Sequence, residues 1–252
     1  MVYTCKKLKG ESMTKIRFCG SLILLFLTFC FSLCEAAESK NELQRSEEVV
    51  EVVKDIKWLG HASFKIKDDK VIYIDPWKLK TPEPADIILI THEHYDHCSP
   101  EDVKKIKKDT TWIVAPGDCA SKFSGNVKVV QPNEKITVEG IEIETVSAYN
   151  LNKDFHPKSN QWVGYIVTVK GTRIYHTGDS DFVPEMKNLK VDVVLLPIGG
   201  TYTMNAEEAA QAANAMNPKV AIPMHYGTIV GSVKDVERFK KLCNVQVEVL
   251  EP

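Results

Sequence analysis

The sequence predicts a layered α/β domain with sheets at its centre. Short apolar or alternating runs recur throughout residues 54–252, and only three segments between them have helical periodicity. Histidine and aspartate residues follow several of these runs directly. Many strands interrupted by a few helices indicate that helices cover the sheets, because a sheet must bury its apolar face against another layer.

The predicted strands are short and rich in valine and isoleucine, as expected for strands that are half or fully buried. In chain order they are Ile56–Ile66, Val71–Ile74, Ile87–Ile90, Trp112–Ala115, Val127–Val130, Ile136–Val138, Ile141–Val146, Val163–Val169, Arg173–Tyr175, Val191–Leu196, Val220–Ile222 and Val245–Val249.

Three helices are predicted from periodicity and end signals. The first spans Pro100–Lys107 with Ser99 as N-cap, and the second spans Ala206–Met216 and ends at Asn217-Pro218. The third, Val233–Leu242, begins after Ser232.

The N-terminal segment, residues 1–37, differs from the rest of the chain. Lys15 and Arg17 precede an uncharged run from Phe18 to Cys34. This pattern is typical of a signal peptide, and the run is short for a spanning helix. The protein is therefore expected to be exported, either periplasmic or secreted, or anchored in the membrane if the segment is uncleaved. Met13 would begin a tidier signal than Met1, and a buried terminal helix of the domain is the alternative interpretation of the segment.

Residues 38–53 are polar and acid-rich and are interpreted as a linker to a domain at 54–252. Without residues 1–37 the chain has 27 basic and 32 acidic residues, a formal charge of −5, which argues against a nucleic-acid partner. Cys98, Cys119 and Cys243 are the cysteines that remain, too few for a disulfide framework. Cys98 lacks the separate base and orienting partner that a nucleophile needs.

The stretch THEHYDH, Thr91–His97, contains three of the seven histidines. Neutral imidazole and carboxylate are ligands of first-row divalent metals, so the cluster predicts a metal site. His92 and His94 are two residues apart and project to the same side of an extended chain, where they can bind one ion. Asp96 and His97, on the tightening turn that follows, can face a second.

Further polar residues also follow strands. Asp75, Asp179 and His225 each come just after a predicted strand. Strand ends that are distant in sequence meet in space in α/β folds, which is how such folds commonly build their sites. These residues are therefore expected to join the cluster.

The order H-x-H-x-D-H, then a distant Asp, then His resembles the metallo-β-lactamase superfamily. Other stretches are similar to its branch containing ascorbate-6-phosphate lactonase and N-acylphosphatidylethanolamine phospholipase D: WLGHASF at Trp58–Phe64, DPW at Asp75–Trp77, YHTGDS at Tyr175–Ser180, LLPIGGTYTM at Leu195–Met204 and IPMHYG at Ile222–Gly227. The resemblance covers most of residues 55–252 and implies an αββα sandwich.

The resemblance also implies two divalent metal ions, zinc or manganese. His92 and His94 would bind the first ion, Asp96, His97 and His225 the second, and Asp179 would bridge them. One position departs from the family pattern: a further histidine usually binds the first ion, and at Ala148-Tyr149-Asn150 this sequence has Asn150. His156 in the following loop, Asn150 itself, a water or an empty position are the alternatives.

Other residues in the shared motifs are expected around the metals. His61 and His176 are assigned to the pocket or to the shell around the ligands, and Asp75 is either an acceptor for the ring N–H of a bound histidine or a turn residue. Tyr202 and Tyr226 either donate to an oxyanion or pack. Gly199 and Gly200 would allow the backbone to approach the site closely.

These observations predict a metal-dependent hydrolase that activates water against an ester, lactone or phosphodiester bond of a small-molecule or lipid-like substrate, with Asp96 and Asp179 as catalytic groups. Membrane contact is expected only through an uncleaved N-terminal segment. An iron redox or dioxygenase-type enzyme, a non-catalytic metal-stabilised binding module and a β-lactamase are the alternatives. In the iron-binding redox branch that this superfamily includes, a glutamate stands in place of the second histidine. Here His94 occupies that place, which favours a hydrolytic site over a redox one.

Overall fold

The computed structural model describes Lys40 and residues 42–252. The chain divides between Arg45 and Ser46, and residues 46–252 form one compact unit. The predicted signal peptide or anchor, residues 1–37, lies outside the described residues. Within them, no helix has the length and apolar character that crossing a membrane requires.

The first sheet has six strands in sequence order. β1, β2 and β3 are antiparallel neighbours, and β3, β4, β5 and β6 are parallel. The strands are β1 (Ile56–Gly60), β2 (Ser63–Lys67), β3 (Val71–Ile74), β4 (Ile87–Leu89), β5 (Trp112–Ala115) and β6 (Asn126–Val129).

The second sheet has seven strands in the order β13-β12-β11-β10-β9-β8-β7. β7 to β10 pair antiparallel, and β10 to β13 pair parallel. The strands are β7 (Lys135–Val138), β8 (Ile141–Ser147), β9 (Val163–Val169), β10 (Thr172–His176), β11 (Val193–Pro197), β12 (Val220–Met224) and β13 (Gln246–Val247).

The inner faces of the two sheets share one buried core, as the period-2 alternation of the strands requires. On β4, Ile87 and Leu89 belong to this inner core, whereas Ile88 belongs to a second cluster on the outer face of the first sheet. Helices cover the outer faces: α2 (Pro100–Ile106) and α3 (Gly117–Ala120) on the first sheet, α4 (Ala206–Met216) and α5 (Val233–Leu242) on the second. The predicted αββα sandwich is confirmed.

The predicted helices and the observed ones agree closely. The side chain of Ser99 accepts from the backbone N–H of Asp102 at the start of α2. Asn205 and Glu208 form a capping box at the start of α4, and Asn217 ends that helix in the left-handed conformation. These local signals fix the helix ends because each satisfies backbone groups that have no partner within the helix.

Two segments differ from expectation. The predicted single strand Ile56–Ile66 is a hairpin, β1 and β2, whose turn includes His61 at φ 55°. Residues 42–54, which overlap most of the predicted linker 38–53, are helical (α1), and Val49 and Val52 are buried in the main hydrophobic core. An amphipathic helix fits the acidic composition because only one face is apolar. The domain boundary at residue 54 stays a prediction.

Candidate metal centre

The polar residues that follow strands meet at one edge of the sandwich. The first sheet contributes the turns after β1, β3 and β4, and the second contributes the segments after β8, β10 and β12. His61, Asp75 and His225, which stand at three of these positions, have positive φ angles of 55°, 47° and 58°. Non-glycine residues adopt this left-handed backbone uncommonly, and Asp and His are among the types found in it most often.

The Thr91–His97 stretch leaves β4 in an extended conformation and then turns. The backbone N–H groups of His97 and Cys98 both donate to the carbonyl of His94, at 3.0 and 2.8 Å. This turn places His92 and His94 side by side, with His92 Nε2 3.2 Å from His94 Nδ1. The local spacing therefore produces the paired imidazoles that the sequence predicted.

His156 lies beside this pair. His92, His94 and His156 each bring one ring nitrogen within 4.8 Å of the others, an arrangement that could hold a metal ion. Asn150 does not face the group as a ligand: its Oδ1 accepts from the backbone N–H of His156 and from His156 Nδ1, both at 3.0 Å. The departure from the family pattern at Asn150 thus coincides with a histidine that Asn150 orients.

A second group contains His61, Asp96, His97 and His225, whose ligand atoms also lie within 4.8 Å of one another. His61 Nε2 is 2.9 Å from Asp96 Oδ2. The sequence placed His61 in the pocket or outside the ligands, because it has no partner at ligand spacing. The position of His61 in the turn between β1 and β2 brings its ring next to Asp96.

Asp179 lies between the two groups. Its Oδ2 is 3.3 Å from His97 Nε2, 3.0 Å from His225 Nε2 and 3.6 Å from His156 Nε2. One carboxylate therefore reaches a histidine of the first group and two of the second, which is the position of a bridging ligand.

The potential ligand histidines are held by groups further from the cluster. Asp75 Oδ2 is 2.8 Å from His97 Nδ1 and accepts from the Thr91 hydroxyl at 2.7 Å, and Thr91 N donates to Asp75 Oδ1. Thr91 Oγ1 is also 2.9 Å from His92 Nδ1. Although Asp75, His92 and His97 also form a compact group, both oxygens of Asp75 are already used. Asp75 thus acts as the acceptor that keeps His97 Nε2 facing the centre.

Several buried ligand atoms have no hydrogen-bond partner among the described residues. They are His97 Nε2, His156 Nε2, His225 Nε2 and Asp179 Oδ1. An unpaired buried polar atom costs about 1–3 kcal/mol, so four of them in one place need a physical reason. Divalent cations held by the two groups would satisfy these atoms, and imidazole with carboxylate is the chemistry that such cations take. The residues present therefore fit a metal.

Burial and mutual charge set the protonation of the cluster. Burial lowers the pKa of His92 well below its usual value and that of His156 to about 4, so both are neutral and able to bind metal at pH 7. Burial opposes charge on His97 also, but the carboxylates of Asp179 and Asp75 outweigh it and raise that pKa well above 6.5. Despite its burial, the neighbouring His225 and His97 hold the pKa of Asp179 well below the usual range.

The remaining predicted site residues divide into two sets. Tyr202 lines the cavity at the cluster, whereas Tyr226 stacks on Trp58 with ring centroids 4.9 Å apart. His176 is fully buried, with Nε2 2.9 Å from the carbonyl of Ala62, and Gly178 N donates to its Nδ1. His176 thus ties β10 to the β1–β2 turn instead of lining the cavity.

Trp162 is a site residue that the sequence did not indicate. Its ring centroid is 5.0 Å from those of His92 and His94 and 5.6 Å from that of His156. Its indole N–H donates to Asp118 Oδ2 at 2.6 Å. It therefore forms the wall behind the three-histidine group, a role that depends on tertiary packing and has no sequence motif.

Gly199 allows the close approach predicted for the Gly199-Gly200 pair. A Cβ atom at this position would lie 2.4 Å from the carbonyl oxygen of His225 and 2.6 Å from Val230 Cγ2. Only glycine lets the segment after β12, which carries His225, pack against the end of β11.

An αββα sandwich with a histidine and aspartate cluster at its edge defines a class of protein, and the comparison with known families agrees with it. The family model described as β-lactamase superfamily domain matches residues 55–225. The predicted superfamily is thereby confirmed. The particular branch of lactonase and phospholipase D enzymes stays a prediction.

Relatives give the narrower assignment. UPF0173 metal-dependent hydrolases of Thermococcus onnurineus and Pyrococcus abyssi are 35% and 36% identical over 77% and 78% of this chain and 94% and 96% of their own lengths. A crystal structure of a Parabacteroides distasonis protein assigned as a metal-dependent hydrolase is 35% identical, with a TM-score of 0.70 over 78% of this chain and 93% of that one. The chain belongs to the UPF0173 metal-dependent hydrolase family of the β-lactamase superfamily.

Proposed function

We propose that the chain is a hydrolase with a dinuclear centre that cleaves an ester, lactone or phosphodiester bond of a small-molecule or lipid-like substrate. The observation that carries the proposal is the position of Asp179 between two groups of potential ligands, His92, His94 and His156 on one side and Asp96, His97 and His225 on the other. A structural site needs only one closed set of four ligands. Two sets that share a carboxylate favour catalysis.

The ligand set supports zinc or manganese. Three imidazoles suit zinc in the first group, and the carboxylates of the second suit either ion. Two such ions, held by these residues, would lower the pKa of a bound water, polarise the scissile bond and stabilise the leaving oxygen.

The chain's own groups complete the chemistry. Asp96 lines the cavity and can accept a proton from the attacking water, and His61, 2.9 Å from Asp96 Oδ2, orients its carboxylate. Tyr202, also in the cavity wall, packs edge-on against Phe155 and contributes its ring to the surface that the substrate contacts. His156 in the place of the missing family ligand argues against a binding module with an incomplete first site.

The test is the metal content of the purified full-length protein, measured by elemental analysis beside its hydrolysis of ester and phosphodiester probes. Two zinc or manganese ions per chain are expected, with at least one lost in Asp179→Ala and in His156→Ala. Asp154→Asn, an exposed change in the loop that carries His156, is the control. One ion in both wild type and His156→Ala would refute the dinuclear centre, and bound iron in a coloured preparation would favour the redox alternative.

Export remains a proposal that depends on residues 1–37. Cell fractionation distinguishes its two forms: recovery of a shortened chain in the exported soluble fraction indicates cleavage, and recovery of the full chain with membranes indicates an anchor. Recovery of the full chain in the cytoplasm would refute both.

A further inference from the structure

The cavity at the metal centre has two chemically different ends. At its inner end lie His94, Asp96, His156, Asp179 and His225. At its outer end lie the side chains of Tyr95, Phe155, Tyr202 and Ile229. A substrate whose scissile bond is at the ligands must therefore place its remaining part against the outer group.

The outer group is apolar and exposed to solvent. Tyr95, Phe155 and Ile229 are 69%, 47% and 38% exposed, which places them among the exposed large apolar side chains of the described residues. Exposed apolar side chains gathered around a concave polar site mark a binding surface, because burying them there releases water. Scattered surface residues would carry no such implication.

The apolar wall is preorganised. The Phe155 ring packs edge-on against Tyr202, with centroids 4.7 Å apart at 88°. Ile229 sits in a tight turn closed by the Gly227 N–H, which donates to the carbonyl of Val230 at 3.0 Å. Phe155 precedes His156, which is fixed by Asn150. Each side of the wall is thus attached to a segment that also carries a potential ligand.

No Lys or Arg lines this cavity among the described residues. Lys153, in the loop that carries Phe155 and His156, is committed elsewhere, because its Nζ is 2.6 Å from Asp181 Oδ1. A negative charge on the substrate away from the scissile bond would lose water there without gaining a partner, which is costly. The cavity volume is about 260 Å³, below the roughly 300–1,000 Å³ of pockets for drug-sized ligands.

We propose that the side chains of Tyr95, Phe155, Tyr202 and Ile229 form a subsite for a short, uncharged, apolar group, and that the substrate is a neutral carboxylic ester or lactone. This inference rests on the proposed hydrolase function and narrows it. In the reaction, the oxygen of water bonds to the acyl carbon, the bond from that carbon to the alcohol oxygen breaks, and the alcohol takes up a proton as the acid is released.

The test compares p-nitrophenyl acetate, butyrate and hexanoate with the p-nitrophenyl monoester of succinate and with bis(p-nitrophenyl) phosphate, using the metal-loaded full-length protein. The succinate and butyrate esters have acyl chains of equal length and differ by a terminal carboxylate. We expect kcat/KM to rise about fourfold for each added methylene until the cavity is filled. The kcat/KM for the butyrate ester is expected to exceed that for the succinate ester.

Variants assign the effect to the wall. Phe155→Ala and Ile229→Ala should flatten the chain-length dependence, whereas Val129→Ala, which removes an exposed valine on β6 outside the cavity, should not change it. Ile229→Lys should raise kcat/KM for the succinate ester relative to that for the butyrate ester, because the lysine supplies the missing cation.

Failure of the subsite and failure of the hydrolase function give different results. Metal-dependent hydrolysis without chain-length dependence, or with preference for the succinate ester or the phosphodiester, would overturn the inference and leave the hydrolase function standing. If no probe is hydrolysed, the hydrolase function fails, and binding of the neutral fluorophore N-phenyl-1-naphthylamine to metal-free protein decides the subsite. Weaker binding of the fluorophore to Phe155→Ala and Ile229→Ala than to Val129→Ala supports the subsite. Equal binding to all three variants overturns the subsite.

Discussion

Asn150 and His156 form a hydrogen-bonded pair in which the amide oxygen, 3.0 Å from His156 Nδ1, leaves Nε2 facing the centre. The Asn150 amide nitrogen in turn donates to Asp181 Oδ1 and to the carbonyl of Tyr202, at 3.1 and 3.0 Å. Because all the polar atoms of its side chain are used, Asn150 has one fixed orientation. The pair therefore supplies a potential metal ligand and the group that sets its ring direction.

Asn150→Ala should lower the affinity of the three-histidine group for zinc about 10- to 100-fold, because His156 loses the acceptor that fixes its ring. Competition with a chromophoric chelator measures this affinity directly. Asn160→Ala, an exposed change in the same loop, is the matched control. Unchanged zinc affinity in Asn150→Ala would show that packing alone orients His156.

Metal binding should release a proton from His97. In the metal-free protein Asp179 and Asp75 raise the pKa of His97 well above 6.5 against the opposing effect of burial, so the ring is protonated at pH 7. A cation can bind Nε2 only after that proton leaves, so zinc affinity should rise with pH by about tenfold per unit below the raised pKa. Calorimetry of zinc binding in buffers of different ionisation enthalpy gives the number of protons released.

Asp75→Asn provides the discriminating variant for that prediction. It removes one of the two carboxylates that favour the charged ring, so proton release at pH 7 should decrease. Asp109→Asn, which is exposed, should leave it unchanged. Equal proton release by all three proteins would mean that another group supplies the proton.

The metal-free protein should lose stability on acidification partly through His156. Burial lowers the pKa of its ring to about 4, below the 6.5 of an unfolded histidine. Between these values the unfolded chain binds more protons, so the free energy of unfolding falls as pH drops from 6.5 to 4. At pH 4 this one residue accounts for a loss of about 3 kcal/mol.

The measurement is urea unfolding in the presence of a chelator at pH 7 and at pH 4. His156→Gln should lose less stability between the two values than the wild type does. A decrease as large in the variant as in the wild type would place the proton uptake on other groups.

Gly199→Ala should displace the segment that carries His225. The added Cβ would lie 2.4 Å from the carbonyl oxygen of His225 and 2.6 Å from Val230 Cγ2, so the backbone must move. Overpacking of this kind costs about 1–3 kcal/mol in unfolding free energy. Metal content should fall as well, because His225 moves relative to Asp179.

The control for Gly199→Ala is Gly117→Ala in α3, where the nearest atom to the new Cβ is Val129 Cγ1 at 3.9 Å. Thermal unfolding and elemental analysis should show no loss in this variant. A Gly199→Ala protein with unchanged melting temperature and metal content would show that the His225 segment tolerates displacement.

Much of the centre is predictable because its signals are local. The spacing of His92, His94 and Asp96 fixes their relative positions through one extended segment and one turn, and residues after strands reach the same edge because the sheets bring strand ends together. Asp75 is similarly predictable, since a histidine ligand needs an acceptor on its other nitrogen.

The unpredicted parts depend on contacts between distant segments. Trp162 has no motif, and its place against His92 follows from the packing of the two sheets. His61 has no neighbouring ligand in sequence, and only the β1–β2 hairpin turn brings it to Asp96. The sequence predicts one strand where the structure has this hairpin, because an apolar run shows strand content but not the reversal within it.

Phe155 and His156 are adjacent in the chain, one in the apolar wall of the cavity and the other in a group that could hold a metal. An insertion or deletion in their loop would move both side chains together. Changes of side chain or loop length that alter substrate preference are thus constrained at Phe155. They are freer at Ile229, which is four residues beyond His225. Relatives with new specificities should accordingly vary first at the Ile229 turn.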